Sequence, residues 1–526
     1  MRKGVGEGTE NKIRGVEQEY PVTAKAGLNP SLLVNAAIQG LKRRRFSRDV
    51  KWDTATEVSQ EAHEARIASS FGENGCRVYN DMGHLEISTP SYNNPFDAVA
   101  YDKASEIYAF IGSKEASRAL KKKVAIHKNN VANFFSRAVS SGVHIGKGEK
   151  VNTNTYATHG NIITKREACE DWSRVEKALI PWVVTRILFT GSGDVVSGKT
   201  IGKEGVKFVI SPRAMFVVQK SSLSTTVGRG ILNTRDQPHA ARKYWRLHDI
   251  HYEALRSEYA IFLRDIAQAM VICAFELGFL DDAPEIEDPV SAFKKISLDT
   301  QECEWKIKLK DGSRTDAVSI LLFYLEAIEK MYEEKGVEGK WDRIGRKCLK
   351  EVIKKLEARH VEECVDGIDW VTKLALLVNY EPKSASEGIS ICNQYALLDE
   401  SVMYYLGDGE ESLKGSCLFN PKESLTFAKR ELPQVDWSSL PDRVKYALSN
   451  APEQTREFFK AELLKRYGPH VKSVSWSTMV LNEAKIMLDE PFMLNKEEMW
   501  AEMTEGREIE EILSAAKGLY PDKIIY

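Results

Sequence analysis

Polar and apolar residues alternate in several short stretches of the first half of the chain, the pattern of half-buried β-strands. Lys12 to Ala24 is one such stretch, with Glu17 and Glu19 on one face and Val16 on the other. Asn74 to Glu86 is a second stretch, folded back by a Gly-His turn. Further strands are predicted at Val124 to Asn130 and Phe208 to Lys220.

Longer segments carry apolar residues at helical spacing, and most of them lie in the second half. The predicted helices are Ser31 to Arg45, Pro95 to Arg118, Glu170 to Thr190, Lys243 to Leu280, Asp316 to Lys335 and Arg343 to Leu377. Lys51 to Phe71 is predicted to be a mobile loop or a short helix, and Ser136 to Asn154 is predicted to be a loop. This order of elements favours an α+β fold with an antiparallel sheet over alternating βαβ units.

A stretch rich in Gly and Ser around Gly407 to Asn420 predicts a domain boundary. We therefore expect a catalytic domain at residues 1–410 and a small α+β domain at residues 411–526.

Charge and apolar content add limits on the partners of the chain. The 526 residues include 74 basic and 76 acidic side chains, so the net charge of −2 creates no global field for nucleic acid or a membrane surface, and neither is expected as a partner. The longest nearly apolar run, Ala267 to Leu280, is too short to span a bilayer, and the N-terminus lacks the apolar region of a secretory signal. We expect a cytoplasmic protein. The eight cysteines show no Cys-x-x-Cys spacing, which argues against a zinc knuckle or a disulfide framework.

The most informative segment is Asn74 to Glu86. In a strand, residues i, i+2 and i+4 point the same way, so Arg77, Tyr79 and Asp81 share one face, and the turn returns Glu86 to it. A cation, a phenol and carboxylates in a row are costly to bury without a ligand. A wall for nucleotide, metal and a catalytic base is one interpretation; an exposed hairpin face with ordinary surface charge is the other.

Glu17 and Glu19, spaced i, i+2 on the first strand, favour a divalent cation, and the alternative is an exposed edge strand. Acids, histidines and arginines elsewhere in the first half complete a candidate constellation: His159, Arg213, Arg235, His239 and His248. Oxygen ligands with an occasional imidazole suit Mg²⁺ or Mn²⁺ better than Zn²⁺, and arginines suit phosphate. Arg213 is therefore a candidate nucleotide contact. Neither a Gly-x-Ser-x-Gly elbow nor a His-Glu-x-x-His motif is present, and Gly191 to Gly193 fits a turn better than a phosphate loop.

These segments resemble the Pup ligase and depupylase/deamidase enzymes of the glutamine-synthetase-like carboxylate-amine ligases. The matching motifs are Arg14-Gly-Val-Glu-Gln-Glu-Tyr20, Asn74 to Glu86, Lys128-Asn-Asn130, Tyr156-Ala-Thr-His159, Ile231-Leu-Asn-Thr-Arg-Asp-Gln-Pro-His239, Tyr244-Trp-Arg-Leu-His248, Ile368-Asp-Trp-Val-Thr-Lys373 and Ser475-Trp476. They occur in the family's order and cover nearly the whole chain. The resemblance implies a glutamine-synthetase-like sheet cradle packed by helices, with ATP and Mg²⁺ as cofactors, Mn²⁺ being the alternative metal.

The resemblance also implies roles for the matching residues. Glu17, Tyr79 and Glu86 would bind magnesium, Arg77, Thr89 and Trp476 would contact ATP, and Asp81 would be the catalytic carboxylate. By analogy with glutamine synthetase, His159 and His248 would approach the metals, beside Glu19, and Arg235 would contact the transferred phosphoryl group.

Three departures from the family pattern lie close to these residues. The family's His-Glu-Asn is His159-Gly160-Asn161 here, which removes a carboxylate. The turn before Glu86 is one residue shorter, and the family's Gly-Asp-x-Asn is Tyr252-Glu-Ala-Leu255.

Several local matches favour the depupylase branch, among them Trp52-Asp53 and Asp369-Trp-Val-Thr-Lys-Leu. The first hypothesis is thus an ATP- and Mg²⁺-dependent amidase or isopeptidase acting on the C-terminal Gln or Glu of a small acidic Pup-like protein or its conjugates. The alternatives are a ligase that joins such a glutamate to lysine through an acyl phosphate, a related ligase or ATPase with another substrate, and a non-catalytic nucleotide-binding module.

Overall fold

The computed structural model describes residues 8–24, 28–52, 70–136, 150–198, 205–336, 339–407, 409–503 and 506–526. Most of the two segments predicted as loops, Lys51 to Phe71 and Ser136 to Asn154, falls outside these ranges. The described ends of both segments lie in strands, so the loop prediction is wrong for Lys51–Trp52, for Ser70 and Phe71, for Ser136 and for residues 150–154.

The strands are β1 Arg14–Tyr20, β2 Val22–Ala24, β3 Ser47–Asp49, β4 Lys51–Trp52, β5 Ser70–Gly72, β6 Arg77–Asp81, β7 His84–Ser88, β8 Val124–His127, β9 Val131–Ser136, β10 Lys150–Thr155, β11 Thr158–Lys165, β12 Asp194–Ser197, β13 Val206–Val209, β14 Gln219–Ser222, β15 Gly230–Asn233, β16 Tyr244–Tyr252, β17 Lys306–Lys308, β18 Arg314–Asp316, β19 Leu397–Leu398, β20 Val471–Val474, β21 Thr478–Leu481, β22 Lys485–Met487 and β23 Ile524–Ile525.

The helices are α1 Pro30–Arg43, α2 Pro95–Leu120, α3 Trp172–Thr185, α4 Ile187–Thr190, α5 Glu258–Glu276, α6 Pro289–Leu298, α7 Ala317–Lys335, α8 Lys340–Glu357, α9 Asp369–Tyr380, α10 Ala385–Ala396, α11 Gly409–Ser412, α12 Pro421–Glu431, α13 Leu440–Ser449, α14 Glu457–Arg466, α15 Lys496–Met499 and α16 Ile509–Leu519. No helix in the described part of the chain has the length and apolar character needed to cross a membrane.

A nine-stranded sheet in the order β14-β15-β16-β11-β1-β7-β6-β5-β3 forms the centre of the molecule. Its neighbouring strands are antiparallel except for the β14–β15 pair. The predicted α+β fold with an antiparallel sheet is therefore confirmed. Along β1, even-numbered residues are buried and odd-numbered residues are partly exposed, so Glu17 and Glu19 lie on the open face.

Helix α5 crosses the closed side of the sheet, and an ion pair connects it to the start of β1. The Nε atom of Arg14 donates to both carboxylate oxygens of Asp265 at 3.0 Å, and its Nη1 donates to the carbonyls of Thr9 and Lys12. Both charged side chains are 2% exposed. A buried ion pair of this kind, with several hydrogen bonds, holds β1 against α5.

A second hydrophobic core begins at α14, and we call the residues from Glu457 onward the C-terminal module. Its strands form a five-stranded sheet in the order β23-β22-β21-β20-β4, in which β4 comes from the N-terminal part and runs parallel to β20. Trp52 and Phe71 join this core. Helices α12 and α13 instead pack into the larger core. The boundary at residue 411 stays a prediction, and hydrophobic packing changes from one core to the other near residue 457.

Three helix or strand predictions are wrong. Arg343 to Leu377 is not one helix, because α8 ends at Glu357 and α9 begins only at Asp369. Lys243 to Leu280 is not helical throughout, because β16 occupies its first part and α5 begins only at Glu258. Strand β16 is buried on both faces, which hides the alternation that identifies a strand. Phe208 to Lys220 is not one strand either, since a 3-10 turn at Arg213–Phe216 separates β13 from β14.

Replacing Arg14 by Met should lower the free energy of unfolding by about 3–5 kcal/mol, because it leaves the carboxylate of Asp265 buried and unpaired. The double variant Arg14→Met, Asp265→Leu should recover part of this loss, since no buried charge remains. Thermal unfolding midpoints of the two variants and the parent test this expectation. Equal losses in the single and the double variant would contradict a role for the ion pair.

Candidate functional site

A cavity of about 1140 Å³ opens on the face of the central sheet that carries Glu17 and Glu19. Strands β6, β7, β1, β11 and β16 are neighbours in the sheet and supply its floor. The predicted site residues that line this cavity are Glu17, Glu19, Arg77, Tyr79, Asp81, Glu86, His159, Arg213, Arg235, His239, His248 and Trp476. We call it the main cavity.

One candidate metal cluster in the cavity joins Glu17, His159 and His248, whose ligand atoms all lie within 4.8 Å of one another. Oε2 of Glu17 lies 3.1 Å from Nδ1 of His159 and 3.8 Å from Nε2 of His248. The two imidazole rings are perpendicular, with centroids 4.7 Å apart. Within the described residues, Nε2 of His159 and Nδ1 of His248 are buried and make no hydrogen bond.

The protonation states in this cluster suit metal binding. Burial raises the pKa of Glu17, but the two histidines oppose it and hold that pKa well below its usual range. Burial and the nearby Arg246 guanidinium lower the pKa of His248 to about 3, so its ring is neutral near pH 7. A carboxylate beside a neutral imidazole is a typical donor set for a divalent cation.

The second candidate cluster is made of carboxylates alone. Glu19, Asp81 and Glu86 also offer ligand atoms within 4.8 Å of one another. Burial and the charges of Asp81, Glu19 and Glu17 raise the pKa of Glu86 well above its usual range. Oxygen-only clusters of this kind suit Mg²⁺ or Mn²⁺, and a bound cation would relieve the repulsion between the acids. The residues present therefore fit two divalent cations side by side.

Hydrogen bonds hold the acids of the second cluster in place. The backbone N–H of Ala157 donates to Oε2 of Glu19 at 2.8 Å, and Nδ1 of His84 lies 3.7 Å from the same oxygen. The Tyr79 hydroxyl donates to Oε1 of Glu86. Burial and the charge of Glu86 raise the pKa of Tyr79, so its phenol stays protonated. Tyr79 thus supports a carboxylate, and metal coordination by its oxygen stays a prediction.

The shortened turn before Glu86 does not move this residue out of the site. Met82 and Gly83 form the turn with φ angles of 47° and 94°, the left-handed pair typical of a tight two-residue hairpin. Asp81 then pairs with His84, and Tyr79 pairs with Glu86. Directly paired residues share a face of an antiparallel sheet, so Glu86 lies beside Glu19 and Tyr79 on the cavity floor.

The departure at Gly160 lies on the side of the sheet away from the cavity. Its neighbours His159 and Asn161 point to Glu17 on the open face, so residue 160 faces the closed side of the sheet. A Cβ atom there would lie 2.5 Å from the ring of Tyr252. This ring fills the space that a side chain at position 160 needs. Two departures from the family pattern, Gly160 and Tyr252, thereby compensate for each other.

The predicted arginines occupy different positions around the acids. The guanidinium carbon of Arg77 lies within 4.2 Å of the ring centroids of both Trp52 and Tyr79. Arg235 lies at the cavity wall, where its backbone N–H donates to the Asn233 side chain. Arg213 is 1% exposed and donates to the carbonyls of Ile250 and Tyr156, and burial and Arg229 lower its pKa to about 10. This geometry gives Arg213 a role in holding the wall, and its nucleotide contact stays a prediction.

Thr89 lies apart from the other predicted residues. Its hydroxyl accepts a hydrogen bond from the backbone N–H of Val16 at 3.0 Å. Thr89 lines a smaller pocket of about 90 Å³ beside the main cavity, together with Trp476 and Arg456. Trp476 lines both spaces and lies between them. A nucleotide contact by Thr89 therefore requires a ligand that extends into the smaller pocket.

The structure adds site residues that the sequence predictions missed. They are His84, Arg229 and Arg246, all of which line the main cavity. Arg246 donates to Oδ1 of Asn161, whose amide donates to Glu17. It precedes His248 by two positions on β16, so recognition of that strand would have placed both on one face.

Known proteins resemble this chain over most of its length. A family model described as Pup-ligase protein matches residues 12–399. The depupylase of Acidothermus cellulolyticus is 29% identical, covering 90% of this chain and 91% of the relative. The Pup deamidase/depupylase of Mycolicibacterium smegmatis is 28% identical with coverage of 90% and 91%. The Pup–protein ligase of Acidimicrobium ferrooxidans is also 28% identical, with coverage of 91% and 96%.

Solved structures show the same fold. The crystal structure of the complex between the prokaryotic ubiquitin-like protein Pup and its ligase PafA matches with a TM-score of 0.71 at 21% identity, covering 99% of this chain and 94% of the other. The structure of PafA in complex with ADP matches with a TM-score of 0.65 at 22% identity, with coverage of 86% and 90%.

Replacing Gly160 by Ala should lower the free energy of unfolding by about 1–3 kcal/mol, because the new methyl group meets the Tyr252 ring. In the Tyr252→Ala background the same replacement should cost little, since the ring is gone. Thermal unfolding of the four proteins in this cycle measures the coupling. A cost independent of residue 252 would show that the two positions do not compensate for each other.

Replacing Glu86 by Gln should stabilise the metal-free protein by about 1 kcal/mol near pH 7, because it removes a carboxyl group whose pKa is raised on folding. The same change should weaken Mg²⁺ binding at least tenfold. Thermal unfolding with and without Mg²⁺ measures both effects, since a bound cation stabilises the parent by mass action. Glu287→Gln, at an exposed ion pair with Lys308, is the control and should change neither quantity. Unchanged Mg²⁺ stabilisation in Glu86→Gln would argue against the second cluster as a metal site.

Proposed function

The chain belongs to the Pup-ligase family, and from this premise we propose that it is an amidase or isopeptidase dependent on ATP and Mg²⁺. Its substrate would be a small acidic Pup-like protein, cleaved at the side-chain amide of a C-terminal Gln or at the isopeptide bond of a conjugate. The observation that carries the proposal is the position of Asp81, within ligand distance of Glu19 and Glu86 on the floor of the main cavity.

The donor sets indicate which residues would hold the cofactors. Glu17, His159 and His248 would bind one divalent cation, and Glu19 with Glu86 would bind the other, next to the Asp81 carboxylate. Arg77 and Arg235 at the cavity wall, with the indole of Trp476, would receive the nucleotide. When bound, metal and nucleotide supply positive charge and phosphoryl-transfer chemistry.

Asp81 has the position of a general base for amide cleavage. Its carboxylate would accept a proton from a water molecule as the water oxygen attacks the amide carbon. The C–N bond then breaks, and the proton passes to the leaving nitrogen, which departs as a lysine amine or as ammonia. Arg229 and Arg235 line the same cavity as the carboxylates and would offset negative charge on the carbonyl oxygen. Direct attack by Asp81 on the carbonyl carbon is the other route that this position allows.

A ligase is the second candidate, because the ligase of Acidimicrobium ferrooxidans is as similar to the chain as a deamidase/depupylase is. In that direction Asp81 would take a proton from an attacking lysine amine. Local matches such as Asp369-Trp-Val-Thr-Lys-Leu favour cleavage.

Incubation with ATP, Mg²⁺ and a Pup protein ending in Gln should release ammonia, and a Pup–lysine conjugate should be cleaved. Mass spectrometry follows both products and any new conjugate in a single assay. Accumulation of conjugates on a lysine-bearing protein would contradict the amidase proposal and support the ligase. Absence of all three reactions would contradict both.

Replacing Asp81 by Asn should reduce turnover by roughly 10²–10⁴-fold, because a general base is lost, while ADP binding stays close to that of the parent. Turnover is measured as ammonia release and nucleotide affinity by calorimetry. Asp49→Asn, at a carboxylate on the edge strand β3, is the matched control and should keep full turnover. Retained turnover in Asp81→Asn would remove Asp81 from the catalytic role.

A further inference from the structure

A column of aromatic rings and one guanidinium extends from the C-terminal module to the carboxylates of the main cavity. The rings of Trp476 and Trp52 meet edge to face, with centroids 5.5 Å apart. The Arg77 guanidinium carbon lies 3.8 Å from the centroid of Trp52 and 4.2 Å from that of Tyr79. Tyr79 in turn donates its hydroxyl hydrogen bond to Glu86.

Trp52 packs in the hydrophobic core of the C-terminal module, although it lies far earlier in the chain than the residues of that module. Strand β4 runs parallel to β20 and pairs Trp52 with Val474, two residues before Trp476. The Trp52 side chain is 6% exposed and stacks on Phe71 at 6.0 Å within the second core. Arg77, by contrast, lies on β6 of the central sheet. The guanidinium therefore lies where the two cores meet.

Two aromatic faces fix a guanidinium in a particular way. Each face attracts the cation, and together they restrict the side chain to one plane. Arginine binds phosphate oxygens through the N–H groups that lie in the plane of its guanidinium, so the orientation of this plane matters for a nucleotide contact. Tyr79 supplies one face from the same sheet as Arg77, whereas the other face comes from the core of the C-terminal module. The position of this second face therefore depends on the packing of Trp52 against the C-terminal module.

We propose that Trp52 is a positioning residue that acts through Arg77 and makes nucleotide affinity depend on the docking of the C-terminal module. The inference rests on the proposed nucleotide site, in which Arg77 contacts the phosphates. Trp52 itself would not contact the nucleotide. It would keep the Arg77 guanidinium in the orientation that contacts the phosphates. Its contribution should therefore disappear when Arg77 is removed.

A double-mutant cycle on the full chain tests this dependence. Trp52→Leu should weaken ADP binding roughly three- to thirtyfold, the range of a lost cation–π contact. In the Arg77→Met background, the same Trp52→Leu change should alter affinity by less than about twofold. Trp52→Phe, which keeps an aromatic face, should retain most of the parent's affinity. Calorimetry with ADP and Mg²⁺ measures the four affinities of the cycle and that of Trp52→Phe.

A packing control separates positioning from general support of the fold. Phe459→Leu disturbs another buried ring of the same core, outside the column, and should leave ADP affinity close to that of the parent. Equal losses from Trp52→Leu in both Arg77 backgrounds would overturn the inference, as would an equal loss in Phe459→Leu. If the unmodified chain binds neither ADP nor ATP, the proposed function fails as well, whereas binding with an additive cycle overturns only the role of Trp52.

Discussion

Crowding of like charges on one sheet face is the constraint on which the site depends. Glu17 and Glu19 on β1 lie beside Asp81 and Glu86 on the hairpin, close enough for one acid to raise the pKa of another. Such a cluster destabilises a protein unless positive charge is supplied. The fold resists the repulsion with backbone pairing on both sides of β1 and with the buried Arg14–Asp265 pair beneath it. The remaining repulsion favours the binding of cations.

The same constraint explains the arrangement of the cavity walls. His159 and His248 approach Glu17, and Arg246 reaches it through Asn161. On the other side, Tyr79 and the backbone N–H of Ala157 donate to the acids of the second cluster. Glu17, Glu19 and Glu86 therefore each accept a hydrogen bond, yet all three carboxylates line the cavity. Carboxylates that are held in place by hydrogen bonds but still repel one another are suited to binding a metal ion for catalysis.

Strand periodicity predicted the centre of the site from the sequence, because its residues lie two apart on β1 and β6. The same periodicity explains why two departures from the family pattern keep the site residues in place. Gly160 lies on the face of β11 away from the cavity, and the shorter turn still pairs Glu86 with Tyr79. The sequence could not predict β16, whose two buried faces hide the alternation. It also could not predict the pairing of β4 with β20, because parallel contacts between such distant segments leave no local signal. The position of Arg246 in the cavity was missed for the first reason, and the packing of Trp52 against the C-terminal module for the second.

The acids of this sheet face are expected to bind divalent cations next to a nucleotide. Anomalous X-ray scattering from a crystal of the protein grown with Mn²⁺ and ADP would locate these cations. Mn²⁺ peaks are expected between Glu17, His159 and His248 and between Glu19, Asp81 and Glu86, with the nucleotide phosphates beside them. A nucleotide bound in the main cavity without Mn²⁺ on this face, or Mn²⁺ bound at other residues, would contradict this expectation.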